Sequence, residues 1–129
     1  MVLRDAIRAV AGALFILLLG ATIAGCATTG HATPTPQALT DRDGMTLYRY
    51  DKDKPGSKSS ACHDGCSATW PPVPAANEGG KGFGSFMRSD GRRQLTYRGW
   101  PAYYYSGDDT PGDMNGDDIG GEWHVIRRE

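Results

Sequence analysis

Cys62-His63-x-x-Cys66 sets two thiols four positions apart, with an imidazole between them. Two chemistries suit that spacing. Oxidised, the pair closes a small structural loop; reduced, it offers soft ligands for Cu(I), with His63, His124 or a methionine completing the set. A second group carries hydroxyls and carboxylates on a fixed pattern. Tyr48, Tyr50 and Asp53 lie at positions i, i+2 and i+5, and Tyr103, Tyr105 and Asp108 repeat that spacing. Tyrosines two apart share one face of a strand. They suit a core with hydroxyls reaching polar partners at its rim, while the aspartates suit acceptance of turn N–H groups ahead of each Pro-Gly. The sharper alternative makes these residues, with Trp70, Trp100 and Trp123, an aromatic groove for a sugar, a peptide or a planar cofactor. Haem is one such cofactor, since Tyr can ligate its iron.

The remaining cysteine, Cys26, follows Ile23-Ala24-Gly25. A branched apolar residue, two small residues and then Cys is the lipobox pattern, in which the thiol takes a diacylglyceryl group before cleavage. Residues 1–25 have the parts of an export signal: Arg4 and Arg8, then a chargeless stretch from Ala9 to Ala24. That stretch is short for a membrane span of roughly 20 apolar residues and suits a signal peptide. An uncleaved anchor helix is the bland alternative. Lipidation claims one thiol and export places the other two in an oxidising compartment, so a Cys62–Cys66 disulfide is expected. Stable attachment takes more than one acyl chain. Ala27 is not Asp, so nothing signals retention at an inner membrane. The expected location is the cell envelope: the outer membrane in a source with two membranes, otherwise the outer face of the cytoplasmic membrane.

Other patterns exclude more than they offer. Asp108 to Asp118 holds five aspartates, but as a calcium loop starting at Asp113 it has Asp118 where Gly is needed and His124 where Glu is needed. A solvated acidic loop, balanced by Arg88, Arg92, Arg93 and Arg98, is the expectation; an irregular Ca²⁺ site is the alternative. Gly79-Gly-Lys-Gly-Phe-Gly-Ser85 lacks the Gly-Lys-Ser/Thr ending of a phosphate loop. No Gly-x-Ser-x-Gly or His-Glu-x-x-His occurs. Losing Arg4, Arg8 and Asp5 with the leader turns 14 basic and 15 acidic residues into 12 and 14, a balance that argues against nucleic acid.

The elements that must position these groups are short. Strands are expected near Thr46–Tyr50, Ser85–Arg88, Arg93–Tyr97, Ala102–Tyr105 and Trp123–Arg127. Asp90-Gly91 signals a hairpin, and Gly99-Trp100-Pro101 a turn. No apolar period predicts a helix in the mature chain, and 18 glycines with 8 prolines fit many tight turns. The expectation is an all-β, pseudo-symmetric domain of short antiparallel strands over 41–129, after a signal peptide (1–25) and a lipidated flexible tether (26–40). The domain is built from two repeats. Tyr48 leads to Pro55-Gly56 and Trp70, 22 residues on; Tyr103 leads to Pro111-Gly112 and Trp123, 20 residues on.

On these residues the chain resembles the predicted bacterial lipoproteins with a repeated Tyr-x-(Phe/Trp/Tyr)-x-x-Asp motif, described as a secreted repeat of unknown function. The two copies stand at 48–53 and 103–108. Gly44-Met-Thr-Leu-Tyr48, Cys62-x-x-Gly-Cys66-x-x-x-Trp70-Pro-Pro and Gly121-Glu-Trp123-His-Val accompany them, so the resemblance spans about 43–126. It implies export and frequent lipid anchoring, and carries no family-wide activity or ligand. The functional expectation is a non-catalytic envelope lipoprotein. Its lipid would hold the membrane and its domain would bind a small ligand or an envelope protein, with no cofactor. Copper handling or thiol redox through Cys62 and Cys66 is the alternative, and haem binding a further one.

Overall fold

A computed structural model describes residues 35–77 and 79–128. Short strands are joined by turns: β1 (Tyr48–Tyr50), β2 (Phe83–Met87), β3 (Arg93–Tyr97), β4 (Trp100–Pro101) and β5 (Trp123–Val125). One five-residue helix, α1 (Gly65–Thr69), and 3₁₀ turns at Ala75–Asn77 and Ile119–Gly121 complete the regular structure. The fold is all-β and built from two repeats. β1 pairs antiparallel with β5, and β2, β3 and β4 form an antiparallel sheet in that order.

The repeats are related by a local twofold axis. Tyr48 and Tyr103 face each other in an antiparallel bridge, each donating its N–H to the other's carbonyl at 2.9 Å. Around that bridge the repeats exchange their last strands. The stretch ending repeat two lies on repeat one, Tyr48 opposite Val125 and Tyr50 opposite Trp123. The stretch ending repeat one lies on repeat two, with Pro72 bridged to Tyr103 and the Ser106 N–H bonded to the Thr69 carbonyl. Even that last bond has its counterpart, from the Asp51 N–H to the Glu122 carbonyl, and both are 2.9 Å.

Beyond the axis each half closes a ring of three backbone hydrogen bonds. Leu39 donates to Ile126, Ile126 to Leu47, and Leu47 back to Leu39, at 2.7, 2.8 and 2.9 Å. Leu95, Val73 and Ala102 repeat the circuit at 2.8, 3.0 and 3.0 Å. Three segments that each give one bond and take one satisfy their buried amides without leaving an open strand edge there. The six side chains of the two rings, with Tyr97, form one of two hydrophobic clusters. Burying each of the larger aliphatics contributes roughly 1.5–3 kcal/mol.

Turn chemistry sets the register. β2 and β3 run from Phe83 opposite Tyr97 to Met87 opposite Arg93. Arg88–Arg92 closes them: the Gly91 N–H bonds Arg88, and Gly91 takes φ +82°. This is a three-residue loop with its left-handed residue last. Between β3 and β4 the turn is Arg98-Gly99, both left-handed (φ +49° and +84°), the combination a two-residue hairpin needs. The turn expected at Gly99-Trp100-Pro101 therefore sits one residue earlier, and Trp100 and Pro101 belong to the strand. A Cβ on Gly99 would come within 2.9 Å of the Gly56 nitrogen, so this turn accepts only glycine.

Two further boundaries differ from the sequence reading. The folded part starts before Asp41, because Ala38 bridges Arg127, Thr40 bridges Thr46 and Leu39 is fully buried. Leu39 is the one large apolar side chain in a stretch otherwise small and polar, and the core takes it. α1 was not expected either. It carries the second cysteine in its first turn, and its end is marked by the Trp70 N–H bonding the Cys66 carbonyl at 2.8 Å. The expected signal peptide, Cys26, His31 and most of the expected tether lie outside the described residues.

Candidate functional site

The repeated motif residues converge at the twofold axis, and each motif completes the other. The Tyr48 hydroxyl donates to the Asp108 carboxylate at 2.6 Å, and the Tyr103 hydroxyl to Asp53, also at 2.6 Å. Each aspartate uses its second oxygen to accept a backbone N–H, Ala61 for Asp53 and Asn115 for Asp108, at 2.6 and 2.9 Å. Those amides lie after each Pro-Gly and not ahead of it. The phenols have further neighbours: the Ser60 hydroxyl at Tyr103 (2.7 Å) and the Gly116 N–H at Tyr48 (3.2 Å). Tyr48 and Tyr103 have no exposed surface, and Asp53 and Asp108 almost none. Burial first, and the facing carboxylate second, push both phenols well above the ordinary tyrosine value of about 10. Burial also raises Asp53, against the Tyr103 hydrogen bond that lowers it.

Aromatic rings seal these pairs from water. Tyr50, Trp123, Trp70 and Tyr105 form one continuous stack, with centroid spacings of 4.1, 3.8 and 4.5 Å. The two tryptophans are parallel to within 1°. Each repeat contributes one Tyr and one Trp, so the stack obeys the same twofold as the Tyr–Asp pairs. Trp70 and Trp123 are 4 and 6 % exposed, Tyr50 is buried and Tyr105 half-buried. These residues therefore form the second hydrophobic cluster and do not line an open groove. Trp100, grouped with them on sequence grounds, sits apart on another face. The hydroxyls of Tyr48 and Tyr103 are closed onto carboxylates and do not face an open site where a planar cofactor could meet them.

Cys62 and Cys66 are joined in a disulfide, with Cα atoms 5.3 Å apart. Cys62 is fully buried. Its carbonyl takes the guanidinium of Arg88 at 2.8 Å and the hydroxyls of Ser60 and Ser67 at 3.1 and 3.2 Å. Arg88 is itself buried and also reaches Gln94 and Asp90. It therefore braces the disulfide loop, and does not balance the acidic loop as expected. Arg92 likewise pairs with Asp90, whereas Asp117 of the acidic run faces Arg127 at 3.6 Å. Asp113 in that run caps its own turn, accepting the N–H groups of Asp109 and Thr110. The four residues of the copper alternative are not brought together. His63 is exposed on the disulfide loop, and His124, in β5, bonds Asp51 at 2.8 Å. Among the described residues no three His, Cys, Asp or Glu side chains are grouped to hold a metal ion.

What the motif leaves open lies on the other face of the β1–β5 pair. Alternation turns Arg49 and His124, cross-strand partners, away from the aromatic core. With Tyr97, Arg98, Trp100, Arg127 and Pro36 they line a cleft of about 630 Å³, within the range of small-ligand sites. The Arg49 guanidinium lies 4.9 Å from the centre of the Trp100 ring and pairs with Asp51. Asp51 is held below the usual carboxylate range, first by His124 and then by Arg49. Among the described residues no acidic side chain lines the cleft. The sequence reading missed Arg49, Arg98 and Arg127 in this role. The available signal was the alternation itself, since the middle residue of Tyr-Arg-Tyr must face away from the motif tyrosines.

Neither the curated proteins nor the solved structures hold a match to this chain. A family model does match, in two segments, residues 37–74 and 84–127, together more than half of the sequence. The first segment starts just before Leu39 and the second within β2, and each ends in the stretch that the other repeat receives. The chain belongs to the family described as a secreted repeat of unknown function.

Proposed function

We propose that this secreted-repeat protein is a lipid-anchored envelope protein, held by Cys26 and working as a non-catalytic binding domain. The observation that carries the reading is the closure of the motif. Both Tyr–Asp pairs and the ring stack are consumed in joining the repeats, so the strongly shifted groups that often mark catalytic sites are sealed here as structure. Recognition then falls to the exposed basic and aromatic cleft of Arg49, Arg98, Trp100, His124 and Arg127, facing a small ligand or an envelope protein. The membrane would be the outer one in a source with two membranes. Mass spectrometry of protein taken from its native membrane tests the anchor: the expected N-terminal peptide begins at Cys26 and carries acyl chains. An unmodified Cys26 would overturn it. Binding is tested with the double variant Arg49→Gln/Arg127→Gln, expected to lose ligand or partner capture while keeping its fold.

A thiol-redox or copper role remains the second reading, supported by the Cys62–Cys66 pair and by Cys66 being partly exposed. Titrating Cu(I) into the reduced protein separates the two readings. Tight stoichiometric uptake favours the second; none removes it.

A further inference from the structure

Among the described residues β2 has an open outer edge. It pairs with β3 alone. The Arg98 N–H on the Gly82 carbonyl and the Arg88 N–H on the Arg92 carbonyl fix which positions bond across that ladder. The amides and carbonyls of Phe83, Ser85 and Met87 therefore turn away from β3. The Phe83 N–H closes a turn onto the Gly80 carbonyl at 3.2 Å. Among the described residues nothing bonds the N–H groups of Ser85 and Met87, or the three carbonyls. Natural edges are normally blunted by Lys, Pro, a charge or a bulge. Gly82-Phe-Gly-Ser-Phe-Met87 contains no charged residue and no Pro, and β2 pairs with β3 in unbroken register. Gly84 and Ser85 are exposed. Met87, at 53 %, is the most exposed large apolar side chain among the described residues.

The strand is complementary to itself. Laid antiparallel on a second copy with Ser85 opposite Ser85, its outward groups meet in bonded pairs. Each Ser85 exchanges N–H and carbonyl with its counterpart, and each Met87 N–H meets the other copy's Phe83 carbonyl. The side chains agree with that register. On one face Met87 comes beside the half-buried Phe83 ring of the second copy, a favourable thioether–aromatic contact made twice. On the other face Phe86 stands opposite Gly84 and Arg88 opposite Gly82, so no large side chain meets another. A groove of about 300 Å³ lies there, between the 58–63 stretch and Phe86, Met87 and Arg88. An incoming strand turns only glycines toward it. At the ends Lys81 falls opposite Ser89, next to Asp90. The two Arg93 guanidinium groups, each bonded to its own Ser85 hydroxyl at 3.2 Å, approach across the axis. Their repulsion keeps such a contact reversible.

We infer that β2 is a self-association edge, and that two copies of this protein pair β2 to β2 about a twofold axis at Ser85. The result is one antiparallel sheet in the order β4-β3-β2-β2-β3-β4. A contact of this kind uses the same patch on both copies and closes on itself, giving a dimer and no fibre. The edge is short, so the interface is of the transient, concentration-dependent class. β4 lies at the opposite edge of the sheet from β2. Trp100 and the rest of the cleft therefore stay open in both copies, and the dimer presents two binding faces in place of one. The inference depends neither on what the cleft takes nor on the lipid anchor.

Ser85→Cys in the full-length protein tests the axis directly. Directly bonded antiparallel pairs hold their Cα atoms about 5.5 Å apart, within the span of a disulfide. Mild oxidation, of the purified protein and in native membranes, should join two copies through residue 85, as located by peptide mapping. The rate should exceed that of Ser106→Cys, an exposed control, by at least about tenfold, because pairing concentrates the two thiols. Ser85→Pro removes the central N–H, which the β3 ladder does not use, and Met87→Lys places a charge on the edge. Both should abolish the dimer in sedimentation velocity. Near-ultraviolet circular dichroism of the aromatic stack verifies that each variant is folded. Met87→Lys, changed at an exposed side chain, carries the test if Ser85→Pro does not fold. Equal crosslinking rates for the two cysteine variants overturn the inference, as does a dimer that persists in a folded Ser85→Pro or Met87→Lys. So does capture by residue 85 of a different protein with no copy-to-copy product, which would make the edge a dock for another strand.

Discussion

Asp108 and Asp53 would each keep a buried carboxylate short of its donor if the opposing phenol were removed. Tyr48→Phe and Tyr103→Phe are therefore expected to destabilise by about 1–3 kcal/mol each, measured by urea titration. The double variant should cost close to the sum, since the pairs share no atoms, and a strongly non-additive result would mean that they act as one network. The phenols also set an alkaline limit. Their folded pKa values are raised, so their stabilisation is full below about pH 10 and is lost as pH climbs through the folded values. Absorbance titration should show Tyr48 and Tyr103 ionising only as the protein unfolds. Gly116 matters for space more than for backbone freedom. A Cβ there would fall 2.8 Å from the Trp70 ring and 2.9 Å from Tyr48, so Gly116→Ala should cost about 1–3 kcal/mol by overpacking. At this scale the motif was legible and its partners were not. Tyr and Asp recur at readable spacing, but the bond each Tyr makes spans 50 or 60 residues, and local periodicity carries no trace of it.

Elements were legible where a turn residue or a strand period announced them. Asp90-Gly91 marked the β2–β3 hairpin, and the β3 strand lies where alternation put it. Trp100-Pro101 was misread because Pro suggested a turn, whereas the left-handed pair Arg98-Gly99 makes the turn and leaves Pro101 at a strand position. The start of the fold at Leu39 was hidden by the polar composition around it. α1 was hidden because its five residues are too few for any period. The disulfide at the base of α1 closes a loop of five residues, a constraint of about 2 kcal/mol in the chain-entropy model. Cys62→Ser/Cys66→Ser should lower stability by about that amount. Hydrogen exchange should then rise first at Ala61 and Cys62, whose amides bond Asp53 and Ser60. Unchanged exchange there would show that Arg88 alone holds the loop.

The two repeats have traded their closing strands, and no part of the sequence could disclose a trade between two similar copies. It follows that neither repeat is a folding unit. Each ring lacks one of its three strands without the other repeat, and the aromatic stack loses one of its two tryptophans. A chain cut within residues 79–82 should stay together in native gel filtration and come apart only on denaturation. Either fragment alone should be unfolded by circular dichroism. Trp70→Ala should remove about 3–5 kcal/mol and weaken both halves at once, so unfolding stays a single transition by tryptophan fluorescence and far-ultraviolet dichroism.

The ring at Leu39 also decides how the domain bears mechanical load. A tug arriving from the N-terminal segment meets Leu39, which is held on one side by Ile126 and on the other by Leu47, themselves bonded to each other. Both bonds of Leu39 must be broken together, since it is held between two strands that are bonded to each other. In single-molecule stretching, traction on the N-terminal segment should break the fold at higher force than traction across the β2–β3 hairpin. A molecule built this way behaves as a knot at the end of a cord, tightening where it is pulled.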